Sequence, residues 1–114
     1  MILFVCSQGR IRSFSARNWI IRGGGDAEAC GTDRSAKITV SDSLLRCADY
    51  VFCMENSHKK KISKFQHYDE SKVFVLGIED IYNPYDDELF YVLRNRLAGL
   101  CFDDLVELLD RSKV

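Results

Sequence analysis

The chain has 114 residues, 46% of them hydrophobic and 29% charged, with a net charge of -1. That is the size and composition of one soluble globular domain, and it excludes a disordered or collagen-like chain. The charge balance favours no polyanion partner, and the longest apolar runs have about six residues, too short to cross a bilayer, so neither nucleic acid nor membrane is expected as a partner and a cytoplasmic location is expected.

Residues Ile2 to Cys6 (ILFVC) form an almost wholly apolar run, the pattern of a strand covered on both faces and hence of a central parallel strand. From Ser13 the pattern changes: Phe14, Ala16, Trp19 and Ile20 recur at helical spacing, Ser13 is expected to cap the helix, and Gly23 to Gly25 to end it. Asp26 to Cys30 (DAEAC) reads as a short second strand, followed by the polar loop GTDRSAK. Ser41 to Ala48 is expected to be a short helix opened by Ser41 or Asp42, leading into a buried strand over Asp49 to Met54 (DYVFCM). Asn56 or Ser57 is expected to cap the helix HKKKISKFQ, with Ile62 and Phe65 inward and the lysines outward. Lys72 to Ile78 (KVFVLGI) is the fourth strand, EDIYNPYDDE a loop, and a last helical region runs from Asp86 to about Arg111 with a break near Gly99. Strands alternating with helices predict an α/β fold: a single small domain over residues 1–114, with a four-stranded parallel sheet and helices on both faces.

In such sheets ligands bind beyond the carboxyl ends of the strands, where CSQGRIRS, Cys6 to Ser13, is expected to lie. A cysteine, five residues, then arginine and serine is a length of backbone that can wrap one tetrahedral oxyanion. The amides of Ser7, Gln8, Gly9, Arg10, Ile11 and Arg12 would face the anion, and the next helix would offer its positive end to the same point. The stretch is therefore expected to be a phosphate-binding loop after the first strand; the plainer reading makes Cys6 the buried end of a strand and Arg12 a surface residue. Backbone donors, a helix terminus and a guanidinium all favour a thiolate on Cys6, and a thiolate facing a phosphate is a nucleophile. Arg12 has the planar fork for two phosphoryl oxygens, whereas Arg10 is expected at the rim. Ser13 can donate a hydrogen bond to the sulfur, and Gly9 can adopt the positive φ that a ring of inward amides requires.

Such a nucleophile needs an acid to protonate the departing oxygen. Asp80 follows the KVFVLGI strand immediately and so is expected at the same sheet edge; Glu79, Asp86 and Asp87 are rivals, the last two ranked lower because a helix first turn accounts for them. Tyr82 and Tyr85 are expected to wall the substrate cleft.

The stretch ILFVCSQGRIRSFSA resembles the amino-terminal signature of the low-molecular-weight protein tyrosine phosphatases, and within them a short bacterial branch. The resemblance continues through ACGT, ADYVFCME and KVFVLGIEDIY, nearly to the final helix. It implies hydrolysis of phosphomonoesters, of phosphotyrosine in a protein or of a small aryl phosphate, through a phosphocysteine and without a cofactor. It also implies Cys6 as nucleophile, Arg12 as phosphate ligand, Ser13 as partner of the thiolate and Asp80 as general acid. The chain departs from the family pattern at Gly9, where asparagine is usual, at Ile11, where many members have a second cysteine, at Ile81, where proline follows the acid, and at Ala29, where serine is expected.

Two other readings stay open. Thiol-dependent arsenate reduction needs further cysteines to relay a disulfide, and Cys47 and Cys53 read as core residues. A phospho-ligand binding module of weak catalytic power is allowed by the departures at Gly9, Ala29 and Ile81. The remaining features are assigned to structure. The five cysteines lack zinc spacing and are expected to be reduced, most of them in the core; His58 and His67 lack ligand spacing, so no metal is expected; and HKKK reads as a solvated helix face.

Overall fold

The computed structural model describes residues 1–114. In chain order the elements are β1 (Ile2–Cys6), α1 (Arg12–Arg22), β2 (Ala27–Gly31), α2 (Asp42–Cys47), β3 (Tyr50–Cys53), α3 (Asn56–Ile62), β4 (Val73–Val75), α4 (Asp87–Gly99) and α5 (Asp103–Ser112). The four strands are all parallel in the order β2-β1-β3-β4. The apolar run ILFVC thus takes an inner position, and Cys6 pairs with Gly31 at the carboxyl end of the sheet.

Alternation along the strands builds two cores. Phe4, Cys6 and Phe52 face Trp19, Ile20, Leu93, Leu97 and Leu109 from α1, α4 and α5. Leu3, Val5, Val51 and Cys53 face the other way, onto Leu45 of α2 and Ile62 of α3. Helices therefore cover both faces, which is why β1 carries no polar side chain.

Several local expectations are corrected. Ser13 does not cap α1: the helix begins at Arg12, Ile11 occupies the cap position two residues before Ser13, and no side chain bonds there. Neither Asn56 nor Ser57 caps α3; Glu55 does, in a reciprocal box with His58. The fourth strand is shorter than KVFVLGI because Gly77, at φ +67°, breaks its regular geometry. The chain still tracks β3 beyond the break, since Leu76 N–H donates to Cys53 O (2.9 Å) and Ile78 N–H to Met54 O (2.8 Å). The last helical region is two helices separated by Leu100 to Phe102. Cys47 is exposed, not core, as is Cys101. No helix is long and apolar enough to cross a membrane.

Phe52 is fully buried and its ring lies 5.7 Å from Phe4, 5.8 Å from Phe74 and 5.0 Å from Phe102 between centroids. It joins β3 to its neighbours and to the entry of α5. Phe52→Ala is expected to cost about 3–5 kcal/mol. Urea unfolding checks this, and a loss below about 1 kcal/mol contradicts the packing described.

Candidate active site

Cys6 ends β1 with its thiol buried beneath the loop that leads into α1. Gly9 turns that loop back at φ +67°, and its N–H donates to Cys6 Sγ at 3.1 Å. Ser13, in the first turn of α1, brings Oγ to 3.0 Å from the same sulfur. This contact is the reason Ser13 is not a cap: its side chain points at the cysteine. A hydroxyl and an amide are thus both within hydrogen-bond distance of the one sulfur.

Two glycines let the loop lie on the end of β2. A Cβ on Gly9 would stand 3.0 Å from Cys30 C, and one on Gly31 would stand 2.4 Å from Ser7 O. The contact is sealed by Thr32 N–H donating to Cys6 O and Asp33 N–H donating to Ser7 O, each at 2.9 Å. With the Cys6 and Ser7 carbonyls turned toward β2, the N–H groups of the same two peptides, those of Ser7 and Gln8, are turned the other way. No hydrogen bond within the chain uses the amides of Ser7, Gln8, Arg10 or Ile11. Unpaired backbone donors in a folded loop are rare, and a ring of them at a helix start is an anion-binding concavity.

That ring opens onto a cavity of about 110 Å³ lined by Cys6, Ser7, Gln8, Arg10, Ile11, Arg12 and Asp80. At about 30 Å³ per water it holds a few waters or one oxyanion. Arg12 is its buried wall, only 2% exposed. Its Nη1 donates to Glu55 Oε2 at 2.6 Å and to Ile78 O at 2.8 Å. Neither bond uses Nε or Nη2; Nε faces Asp80 Oδ1 at 3.6 Å, and Nη2 has no hydrogen-bond partner within the chain. The Arg12 hydrogen bond, with the positive charge behind it, holds the Glu55 carboxyl below its ordinary value.

Asp80 reaches the cavity from the segment after β4, with Oδ1 3.6 Å from Arg12 Nε and the side chain open to solvent. Asp86 caps α4 by accepting from Glu88 N–H, and Asp87 lies 3.3 Å from Lys113 Nζ, so both rivals are occupied in structural contacts. Glu79 is exposed and does not line the cavity. Arg10 stands at the rim, exposed, its Nη2 donating to Ser35 O at 3.5 Å. The tyrosines are placed differently from expectation. Tyr82 packs against the α1/α4/α5 core; Tyr85 sits edge-on to Trp19 and its OH accepts from Asn18 Nδ2. Neither lines the cavity, because the chain between Asp80 and α4 turns down onto α1.

Two neighbours of the site escaped sequence reading. Glu55 follows β3 as Asp80 follows β4, so the edge rule that singled out one carboxylate applied equally to the other. His58 belongs to the run HKKK yet is 1% exposed, with Nε2 3.0 Å from Ser7 Oγ. Its signal was the capping-box spacing, three residues after Glu55. Cys30 and Cys53, by contrast, have thiols that burial pushes up to about 12. Those two sulfurs are held as thiols in the core.

No protein-family model matches the chain, and no curated protein matches it in sequence. Solved structures do match. The tyrosine phosphatase Wzb from Escherichia coli K30, in complex with phosphate, is similar with a TM-score of 0.59 and 22% identity, covering 98% of this chain and 92% of its own. The YwlE arginine phosphatase from Geobacillus stearothermophilus is similar at 0.58 and 20% identity, covering 96% and 88%. A low-molecular-weight protein tyrosine phosphatase from T. tengcongensis is similar at 0.57 and 21% identity, covering 96% and 95%. Over nearly its whole length, the chain has the fold of the low-molecular-weight protein tyrosine phosphatases.

Proposed function

We propose that the protein is a cysteine-dependent phosphatase of the low-molecular-weight family. The observation that carries this reading is that Cys6 lines one small cavity together with Ser7, Gln8, Arg10 and Ile11, whose loop amides have no partner within the chain. Cys6 attacks phosphorus along the axis opposite the leaving oxygen. The phosphorus–oxygen bond breaks as Asp80 gives its proton to that oxygen, leaving a phosphocysteine. The Asp80 carboxylate then takes a proton from water, whose oxygen attacks phosphorus. The sulfur–phosphorus bond breaks, inorganic phosphate leaves, and Ser13 hydrogen-bonds the released thiolate. Throughout, the loop amides and Arg12 hold the equatorial oxygens as charge redistributes.

The substrate we infer is a phosphotyrosyl protein or small aryl phosphate. The similar structures include an arginine phosphatase as well as tyrosine phosphatases, and Arg10 favours the second class. Its exposed guanidinium lines the cavity mouth, where the cationic leaving group of phosphoarginine meets like charge and a neutral phenol does not. Arsenate reduction is the weaker reading, because Cys53 is fully buried in the α2/α3 core with its thiol pushed up to about 12.

Hydrolysis of aryl phosphates by wild type, Cys6→Ser and Asp80→Asn tests the reading. Cys6→Ser is expected to lose more than about 10⁴-fold in kcat. Asp80→Asn is expected to lose about 10²–10³-fold, more for phenyl phosphate than for a nitrophenyl ester whose leaving group needs no proton. Retention of turnover by Cys6→Ser overturns the mechanism, and preference for phosphoarginine over phosphotyrosine peptides overturns the substrate class.

Glu55→Ala leaves Arg12 Nη1 with Ile78 O alone and is expected to raise KM for the aryl phosphate about tenfold, or about 1.4 kcal/mol, the scale of a hydrogen bond to a charged group. Glu55→Gln, which keeps an acceptor, is expected to lose less. Equal KM for wild type and Glu55→Ala contradicts an orienting contact.

A further inference from the structure

We propose that His58 is a positioning residue that fixes the Ser7 hydroxyl as a hydrogen-bond donor to the bound oxyanion. The proposal rests on the phosphatase reading and deepens it by adding a donor to the anion site.

Glu55 N–H donates to His58 Nδ1 at 3.0 Å, so Nδ1 presents its lone pair. A neutral imidazole with its lone pair on Nδ1 carries its proton on Nε2. Nε2 lies 3.0 Å from Ser7 Oγ, so Nε2–H donates and the hydroxyl oxygen accepts. The opposite tautomer sets Nδ1–H against Glu55 N–H. Ser7 makes no other side-chain hydrogen bond, and it lines the cavity beside Cys6 and Arg12. Its own proton is thereby free to point at an oxyanion. A serine hydroxyl with a choice of partners divides its proton among them; one whose oxygen is already engaged by a donor is preset to give.

His58 is also built to stay neutral. It is 1% exposed, and burial, followed by the charge of Arg12, lowers its proton affinity; Lys61 acts in the same direction, whereas Glu55 and Asp33 act against it. Protonation would put a hydrogen on Nδ1 facing Glu55 N–H and would break the bond that ties the backbone of Glu55, the partner of Arg12, to the ring. One buried ring therefore connects both the serine and the arginine of the cavity to the start of α3.

The linkage has a definite sign. Folding holds His58 neutral below its ordinary value of 6.5, so the unfolded chain binds the extra proton. This contribution to stability is full above pH 6.5 and is lost as the pH falls from there through the lowered folded value.

The test is equilibrium binding of inorganic phosphate by calorimetry at pH 7, with wild type, Ser7→Ala, His58→Asn and the double variant. Asparagine keeps an acceptor for Glu55 N–H but does not reach Ser7, whereas His58→Gln reaches Ser7 and serves as the rescue variant. We expect His58→Asn and Ser7→Ala each to weaken binding about fivefold, the double variant to be no worse than Ser7→Ala, and His58→Gln to restore most of the affinity. Nitrogen-15 spectra of the His58 ring are expected to show Nε2 protonated and Nδ1 bare. Losses that multiply in the double variant, the opposite tautomer, or unchanged affinity in His58→Asn overturns the positioning role and leaves the phosphatase reading standing. A wild type that binds no phosphate overturns both.

Discussion

A buried guanidinium is the constraint on which this structure turns. Arg12 is 2% exposed, and a charge taken out of water must be met by partners. Those partners come from two other strand ends: the Glu55 carboxylate after β3 and the Ile78 carbonyl after β4. The loop, β3 and β4 are thereby held in one geometry, and Asp80, two residues beyond Ile78, is brought to the cavity as a consequence. Arg12 Nη1 is satisfied by Glu55 and Ile78, Nε faces Asp80, and the side chain lines the cavity that the loop also lines. The site is complete as a scaffold and electrostatically open toward an anion.

The second constraint is steric. The loop can curl over Cys6 only because β2 ends in glycine, where a side chain would strike Ser7 O, and because Gly9 accepts a positive φ against Cys30. With Thr32 and Asp33 drawing the Cys6 and Ser7 carbonyls toward β2, the Ser7 and Gln8 amides are turned away from it. Backbone geometry thus shapes the loop on which the proposed anion site rests, and Cys6, Ser13 and Arg12 are the side chains it gathers there. The asparagine that the resemblance leads one to expect at position 9 would fill a side-chain role. Here the bracing comes from outside the loop, through Gln8 Nε2 donating to Asp33 Oδ2 at 2.7 Å and through the Ser7–His58 contact.

Much of the fold was legible because its signals are local. The apolar run ILFVC, the helical spacing from Phe14 to Ile20 and the strand DYVFCM each declare their element, and alternation of strand and helix dictates a parallel sheet. The loop was legible for the same reason, since Cys6, Gly9, Arg12 and Ser13 lie within eight residues. What stayed hidden depends on strands meeting in space. Glu55 looks like an ordinary acidic residue until the sheet sets the end of β3 beside the end of β1, and His58 looks like part of a solvated run until its ring is found under Ser7. Ser13 was read both as a helix cap and as a partner of the Cys6 sulfur, and of the two only the sulfur contact is made. Tyr82 and Tyr85 were assigned to the cleft by proximity in sequence to Asp80, yet Trp19 and the α1/α4/α5 core draw them away.

The account stands on Cys6 carrying the phosphoryl group between the two halves of the reaction. Rapid-quench peptide mapping during turnover of an aryl phosphate tests this most directly. We expect a burst of phenol matched by one phosphoryl group on the peptide that contains Cys6, decaying as inorganic phosphate appears. Phenol and phosphate released together with no labelled peptide, or a phosphoryl group found on another residue, would contradict it.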